Sequence, residues 1–414
     1  MKETKFAAYI GIDWADKKHD FAIYDVASGK TRRDCVAQTP EAMQSWLGEL
    51  TQSYAGQLIA VALEQTRGAL FSALMMRENL VLFPVNPAAL SSFRDALYPS
   101  HAKDDPVDAD LLMRLIRDHG DRLRPWKPDS VATRTLRRLG EDRRRLVEAR
   151  TALTNQLTAS LKESFPQALQ WAGGLQTEQA CDFLEAWPTF ADVQKASKPQ
   201  LIKFYREHRH SLRWAEERVV QVRAAAPATM DQALIEVGSF LVESVVGRLR
   251  ALNVSIASYD ARIAELFAAH VDAPIFASLP HAGAALAPRL LAAFGDDRER
   301  FASAQDVAEF TGIAPVQRRS GRTKTIHMRI ACPKFIRQTF HEYARLSIGA
   351  SSWAKAFHDE QRSRKKGRHA ILRELAYRWI RILFRCWKDS VPYDEAFYLE
   401  QLIRRGSPYA KQAA

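Results

Sequence analysis

Four carboxylates stand where they could converge on one metal ion. Asp13 ends an apolar run typical of a β-strand, and Glu64 ends a second such run, 58–63. Asp105 and Asp108 lie three residues apart at the start of a predicted helix and so project from one helix face. Strand-end carboxylates can meet at one edge of a sheet, and hard cations bind oxygen ligands. The pattern is compatible with a divalent-metal site that orients phosphates.

These carboxylates also have a purely structural explanation. Asp105 is a good N-cap for a helix with Pro106 in its first turn, and Asp108 would interact favourably with the helix dipole. The neighbouring acidic residues Asp16 and Asp104 compete with the proposed ligands. Spacing alone therefore does not decide between two interpretations. The carboxylates could form a metal site, or they could be helix caps and solvated strand ends.

A serine near the C-terminal third is surrounded by cations. Ser320 lies in the run Arg318-Arg319-Ser320-Gly321-Arg322-Thr323-Lys324. Cationic neighbours can stabilise an ionised hydroxyl and the charge of a phosphoryl transition state, so the serine could attack a phosphodiester. The alternative is a loop that contacts phosphates without chemistry. His327 could approach the serine or serve a structural role.

The net charge is concentrated in the same region. The 414-residue chain has 60 Lys and Arg against 48 Asp and Glu, a net charge of +12. Residues 311–387 hold 18 Lys and Arg against 4 Asp and Glu, whereas residues 1–130 hold 16 against 18. Such a strip favours nucleic acid over a membrane as partner, although a solubilising face of amphipathic helices would also carry such charge.

Composition excludes several classes of protein. With 47% hydrophobic and 26% charged residues, the chain is expected to be globular and not disordered or collagen-like. Its four cysteines are scattered, which indicates neither a disulfide scaffold nor a cysteine zinc site and suits a reducing cytoplasm. No apolar stretch reaches the ~20 residues of a membrane helix.

The predicted elements would place the acidic residues in an α/β domain. Apolar runs predict five strands, and the order of strands and helices predicts a mixed sheet covered by helices on its faces. The predicted strands are 6–13, 20–25, 31–37, 58–63 and 81–85, and the predicted helices are 41–53 and 67–78.

The rest of the chain is predicted to be mainly helical. Helical periodicity at 131–163 and 230–268 predicts a coiled-coil spacer after a proline-marked boundary at 124–128, and 165–225 is predicted mostly helical. Helices are expected at 304–311, 333–347, 352–363 and 368–388, with an irregular stretch at 312–330. The expected domains are 1–130, 131–270 and 271–414.

Several sequence blocks resemble those of one family. Tyr9-Ile-Gly-Ile-Asp13, Ala62-Leu-Glu-Gln-Thr66, Val85-Asn-Pro87 and Lys103-Asp-Asp-Pro-Val-Asp-Ala109 are similar in order and distance to the DEDD transposases of the IS110 insertion-sequence family. The resemblance implies a RuvC-like domain of the RNase H fold in which Asp13, Glu64, Asp105 and Asp108 bind Mg²⁺.

The resemblance extends to the C-terminal third. There the family has a transposase domain in which a Gly-x-x-Pro segment, here Gly312-Ile-Ala-Pro315, precedes a Ser-Gly motif, and the serine is the nucleophile. This implies that Ser320 is catalytic. The motif departs from the family in having Arg322 where a second glycine is common. Nucleic-acid contacts are expected from Arg318, Arg319, Arg322 and Lys324.

The resemblance also implies partners and a reaction. The enzyme would be a DNA recombinase guided by a structured bridge RNA, acting on donor and target DNA through a covalent phosphoserine link. It would act as a tetramer. Because long predicted helices separate the acidic domain from the serine domain, we also expect one site to combine the acidic residues of one subunit with Ser320 of another. A Holliday-junction nuclease that uses water as nucleophile and a non-catalytic nucleic-acid scaffold remain as alternatives. The expected location is the cytoplasm of a bacterial or archaeal cell.

Overall fold

The computed structural model describes residues 5–64, 66–97, 105–321 and 323–411. Within these ranges, the side chains of residues 105–107, 318, 320, 324, 410 and 411 are not described. The chain divides into two compact units, Met1–Pro128 and Asp129–Ala414. None of the described helices combines the length and the apolar character needed to cross a membrane.

The first unit is built around a five-stranded sheet. Its strands are β1 (Ala8–Asp13), β2 (Lys18–Asp25), β3 (Thr31–Ala37), β4 (Ile59–Leu63) and β5 (Leu80–Pro84). They are ordered β3-β2-β1-β4-β5. β1 is antiparallel to β2 and parallel to β4, β4 is parallel to β5, and β2 is antiparallel to β3. The mixed sheet predicted from the apolar runs is confirmed.

Helices cover both faces of this sheet. They are α1 (Pro40–Ser53), α2 (Ala69–Leu74), α3 (Pro87–Leu97) and α4 (Asp105–His119). α1 and α2 pack on one face and α3 and α4 on the other. Every residue of β4 is buried because both of its faces are covered, whereas Val36 is the one buried residue of the edge strand β3.

Two long helices begin the second unit. α5 (Val131–Ser164) and the later helix Gln232–Ala268 match the two segments of predicted helical periodicity. Arg143 bonds Asp260 at one end of the pair, and Gly238 lies against Ser164 at the other, so the two helices run antiparallel. Between them, residues 165–225 form an apolar, aromatic-rich helical cluster. Its helices are α6 (Ala168–Trp171), α7 (Glu178–Ala186), α8 (Phe190–Lys195), α9 (Lys198–Glu207) and α10 (Leu212–Ala224), and the long helix that follows is α11.

The C-terminal part is helical with one β-ribbon. The helices are α12 (Ala273–Ala277), α13 (Gly283–Phe294), α14 (Ala304–Phe310), α15 (Lys334–Ser347), α16 (Ser352–Ser363), α17 (Arg368–Asp389), α18 (Glu395–Arg404) and α19 (Pro408–Lys411). The ribbon consists of β6 (Val316–Ser320) and β7 (Thr323–His327).

This ribbon corrects the irregular stretch predicted at 312–330. β6 and β7 pair antiparallel, and Gly321 adopts a positive φ at the turn between them. β-Branched residues such as Val316, Thr325 and Ile326 favour extended backbone, and a glycine allows the reversal. The density of arginines hid the strand pattern in the sequence.

Candidate active site

Asp13 and Glu64 lie side by side at one edge of the sheet. β1 and β4 are parallel neighbours, and Ile12 and Leu63 are the last pair in their register. Asp13 is the next residue of β1, and Glu64 follows β4 directly. The carboxyl ends of the two strands therefore bring both residues to the same edge, as their positions in the sequence predicted.

Gly11 allows α4 to cross the sheet at close range. Side chains alternate along a strand, and Ile10 and Ile12 face the layer of α1 and α2, so Gly11 and Asp13 belong to the opposite face. A Cβ atom on Gly11 would lie 2.0 Å from the carbonyl oxygen of Ala109 in α4. Only glycine fits beneath that helix backbone.

The direction of α4 places its first turn at the acidic edge. Ala109 lies over Gly11, and further along the helix the guanidinium of Arg117 lies 4.9 Å from the ring centroid of Tyr24. Tyr24 pairs with Tyr9 near the start of β1. α4 therefore runs antiparallel to β1, and its first turn, which contains Asp105 and Asp108, lies toward the end of β1 that holds Asp13.

Asp108 is buried and held by an arginine. The residue is 5% exposed, and its carboxylate accepts hydrogen bonds from Nε and Nη2 of Arg94 in α3, at 2.9 and 2.5 Å. No sequence signal pointed to Arg94 as a partner of the acidic residues. The side chain of Asp105 lies outside the described residues, although its backbone begins α4.

The carboxylates that the structure describes suit a hard cation, and these described groups are not gathered as a set of three metal ligands. Among the side chains that the structure describes, no three His, Cys, Asp or Glu groups converge as metal ligands. Asp13, Glu64 and Asp108 offer carboxylate oxygens, the ligands that divalent magnesium-like ions prefer. These residues, with the first turn of α4, could hold such an ion at the sheet edge.

Ser320 stands at the tip of the basic ribbon. It is the last residue of β6 and pairs with Thr323 across the turn that contains Gly321. Arg319, one residue earlier, is exposed and pairs with Lys324. The side chains of Arg318, Ser320 and Lys324 and the whole of Arg322 lie outside the described residues. The backbone thus presents the serine at a turn, flanked by cationic residue types.

His327 lies at the opposite end of the ribbon. It pairs with Val316 at the base, is exposed, and hydrogen-bonds the hydroxyl of Thr325 at 3.2 Å. Four strand residues separate the levels of His327 and Ser320, a distance of about 13 Å at roughly 3.3 Å per residue. The ribbon does not bring this histidine to the serine.

The base of the ribbon is fixed to α15. Arg337 in α15 donates a hydrogen bond to the carbonyl of Arg329 at 3.1 Å, and Arg329 donates to the carbonyl of Ala314 at 3.4 Å. Gly312 has φ of +73°, and a Cβ atom there would lie 2.3 Å from Sγ of Cys332. Gly312 is therefore needed where the chain enters the ribbon.

The sheet order and the acidic edge define the first unit as an RNase H-like DEDD domain, followed here by a mostly helical region. A model of the DEDD transposase domain of IS110 elements matches residues 10–166, and one described as "Transposase IS116/IS110/IS902 family" matches residues 273–359. Together they cover more than half of the chain. The chain belongs to the IS110 family of transposases.

Two relatives match the chain almost from end to end. It is 27% identical over 404 residues to the "Mini-circle putative transposase for IS117" of Streptomyces coelicolor, covering 95% of this chain and 97% of that protein. It is 25% identical over 402 residues to the "Insertion element IS900 uncharacterized 42 kDa protein" of Mycobacterium paratuberculosis, covering 94% and 97%.

Family membership gives the site its general chemistry. Transposases of this family cleave and join DNA, so the protein is an enzyme that binds DNA. The DEDD domain implies a divalent metal. The acidic residues belong to the first unit and Ser320 to the second, each within a segment matched by a family model.

Proposed function

We propose that this transposase moves an insertion sequence by RNA-guided DNA recombination, with Ser320 as the nucleophile and Mg²⁺ held by Asp13, Glu64, Asp105 and Asp108. The observation that carries the proposal is the position of Ser320 as the residue that closes β6 at the ribbon turn. The backbone of this residue lies at the end of the ribbon, and the cationic residue types beside it match the charge of a phosphodiester.

The proposed chemistry is a transesterification. The Ser320 hydroxyl loses its proton to solvent while its oxygen forms a bond to phosphorus. The bond from phosphorus to one deoxyribose oxygen breaks, and that oxygen keeps the bonding electrons and takes up a proton from solvent. The phosphoserine conserves the energy of the broken bond. A deoxyribose hydroxyl from another strand then attacks the phosphorus, which joins the DNA and frees Ser320. Arg318, Arg319, Arg322 and Lys324 would stabilise the negative charge of the phosphoryl group.

Asp13, Glu64, Asp105 and Asp108 would hold the metal next to the same phosphate. When bound, Mg²⁺ would neutralise phosphate charge and orient the reacting oxygens. Support comes from the meeting of Asp13 and Glu64 at the carboxyl edge of β1 and β4, with the first turn of α4 directed toward that edge. These carboxylates are oxygen donors of the kind that Mg²⁺ requires.

Guidance by a bridge RNA and assembly of four subunits complete the proposal. Base pairing by the RNA would read donor and target DNA, while the protein would bind backbones through the charge of residues 311–387. Four subunits would supply the strand exchanges of a Holliday-junction intermediate. Sequencing of RNA that co-purifies with the protein tests guidance, since a discrete structured RNA matching the flank of the element is expected and only random host RNA would contradict it.

The nucleophile is tested by Ser320→Ala. Full-length protein is incubated with DNA carrying the element ends, co-purified RNA and Mg²⁺, and covalent protein–DNA adducts are separated under denaturing conditions. We expect the adduct and recombination to disappear in Ser320→Ala. Mass spectrometry of the wild-type adduct should place the phosphodiester remnant on Ser320.

Thr323→Ala is the matched control, because Thr323 pairs with Ser320 across the same turn and also carries a hydroxyl. It should retain the adduct. DNA cleavage that persists in Ser320→Ala would exclude the serine mechanism and indicate water as nucleophile, as in a Holliday-junction nuclease.

A further inference from the structure

Arg94 is a buried cation that is bonded to one of the acidic residues. The amide of Val85 donates to the carbonyl of Leu63 at 2.8 Å, so the chain that enters α3 leaves the sheet beside Glu64. Arg94 lies two turns further along α3 and bonds Asp108 in α4. The structure thus joins a guanidinium to one of the carboxylates that are expected to bind metal.

The contact between Arg94 and Asp108 is close and shielded from solvent. Nε and Nη2 of Arg94 both donate to Oδ1 of Asp108, at 2.9 and 2.5 Å. The two side chains are 16% and 7% exposed. An ion pair that is shielded from water keeps most of its attraction, whereas pairs at the surface are largely screened. The carboxylate of Asp108 is therefore held tightly by a cation of the protein itself.

Helix packing fixes the backbone of Arg94 in this position. Leu90 of α3 shares an apolar core with Leu111 and Leu112 of α4. Leu90 precedes Arg94 by one turn, so α3 cannot move away from α4 without exposing apolar surface. Release of Asp108 would therefore require the side chain of Arg94 to move while α3 stays in place.

A guanidinium and a divalent metal would compete for this carboxylate. Both are cations that bind carboxylate oxygens. Two cations close to one buried carboxylate also repel each other, and this repulsion is stronger where water is excluded. A carboxylate whose charge is already balanced by Arg94 therefore attracts a metal ion less than a carboxylate without a partner does.

We propose that Arg94 holds Asp108 in the protein without divalent metal and competes with the metal for that carboxylate. The ligand role of Asp108 rests on the proposed function, whereas the contact between Arg94 and Asp108 is part of the structure. Arg94 is a positioning residue, because it acts through Asp108 and is not itself a metal ligand. It stabilises the first unit before the metal binds, and it lowers the affinity for the metal.

Arg94→Gln tests the competition, because glutamine keeps an N–H donor for Asp108 and loses the charge. Full-length protein is freed of metal, and binding of Mn²⁺ is titrated by electron paramagnetic resonance of the free ion. We expect Arg94→Gln to bind Mn²⁺ about tenfold more tightly than the wild type. Its melting temperature without divalent metal should fall by about 5 °C, because Asp108 loses its charged partner.

Arg33→Gln is the matched control. Arg33 bonds Asp110 on the same helix through the same two nitrogens, at 3.2 and 2.7 Å. Asp110 is not one of the four expected ligands, and Arg114 bonds it as well. The Mn²⁺ affinity of Arg33→Gln should therefore stay within about twofold of the wild type. Arg94→Lys keeps the charge beside Asp108 and should also bind Mn²⁺ as the wild type does.

An unchanged or weaker Mn²⁺ affinity in Arg94→Gln would overturn the competition and leave Arg94 a structural partner of Asp108. An equal gain in Arg94→Lys or Arg33→Gln would overturn it too. The gain should vanish when Arg94→Gln is combined with Asp108→Asn, and a gain that persists there would show that it does not act through this carboxylate. In parallel, a Mn²⁺ affinity unchanged by Asp13→Ala with Glu64→Ala would contradict the ligand roles of those two residues and leave the competition at Asp108 standing.

Discussion

At the residue scale, Gly11 determines how closely α4 approaches the strand that ends in Asp13. Replacing Gly11 with alanine would place a Cβ atom 2.0 Å from the Ala109 carbonyl oxygen and 2.3 Å from the Met113 nitrogen, both backbone atoms of α4. We expect Gly11→Ala to lower the free energy of unfolding of the first unit by about 3 kcal/mol or more, since a helix must move. Chemical denaturation followed by circular dichroism measures this loss.

Gly48→Ala is the control for this substitution. Gly48 lies within α1, and no atom lies within 4 Å of the position that a Cβ atom would take there, so alanine should stabilise the helix by about 0.5–1 kcal/mol. Equal stabilities of Gly11→Ala and the wild type would show that α4 does not pack on β1 as described.

At the residue scale, the sequence predicts a contact when a single strand or helix determines that contact. An isolated glycine inside an apolar strand is a known sign of close backbone approach, so Gly11 could have been recognised. The sequence also predicts that Asp13 and Glu64 lie close together, because each stands at the end of a predicted strand. The contact of Arg94 with Asp108 depends on how α3 packs beside α4, which no local pattern encodes.

At the scale of elements, the ribbon depends on the chain entering it correctly. Gly312 has φ of +73°, and an added Cβ would lie 2.3 Å from Sγ of Cys332. Gly312→Ala should therefore cost about 2–4 kcal/mol of stability from backbone strain and overpacking. It should also reduce adduct formation, because Ser320 lies on the ribbon that Gly312 introduces. Thermal unfolding and the adduct assay measure the two effects.

Gly321→Asn provides the comparison. Gly321 also has a positive φ, +54°, but nothing lies within 4 Å of its Cβ position, and asparagine tolerates this conformation. Its stability should stay close to that of the wild type. A Gly312→Ala protein as stable as Gly321→Asn would show that the entry to the ribbon tolerates a side chain.

The elements themselves were predicted with uneven success. Apolar runs and helical periodicity identified the strands of the sheet and the long helices, because each pattern is local. The ribbon was missed because its arginines obscure the alternation.

At the scale of the whole molecule, the residues expected to bind metal and the excess positive charge belong to different units. Residues 311–387 carry a net charge of +14 and lie in the second unit, whereas the acidic residues lie in the first. Removal of divalent metal with a chelator should therefore abolish DNA cleavage and leave most of the DNA affinity intact. Cleavage and anisotropy assays on the same sample measure both, and restoration by Mg²⁺ alone is the control.

Cleavage that continues in excess chelator would contradict a metal role for the acidic residues. A parallel loss of DNA affinity would instead show that the metal is needed to bind the strand. The double variant Asp13→Ala and Glu64→Ala should behave like the chelated enzyme and should not respond to added Mg²⁺.

The three domains predicted from the sequence, 1–130, 131–270 and 271–414, stay a prediction. The structure divides into two compact units, Met1–Pro128 and Asp129–Ala414. Leu136 of α5 and Ile263 of α11 share a core with Phe276 and the helices that follow. The periodicity of a helix shows that it has an apolar face, but it does not show which neighbour that face will contact.

The edge strand β3 affects whether copies of the protein associate when their local concentration is high. An exposed strand edge can pair with the same edge of another molecule and seed aggregation. β3 instead presents Arg32, Arg33 and Asp34, with Val36 as its one buried residue. These charges make an intermolecular sheet costly to form. Copies of the protein crowded together on DNA are thereby protected from pairing through β3.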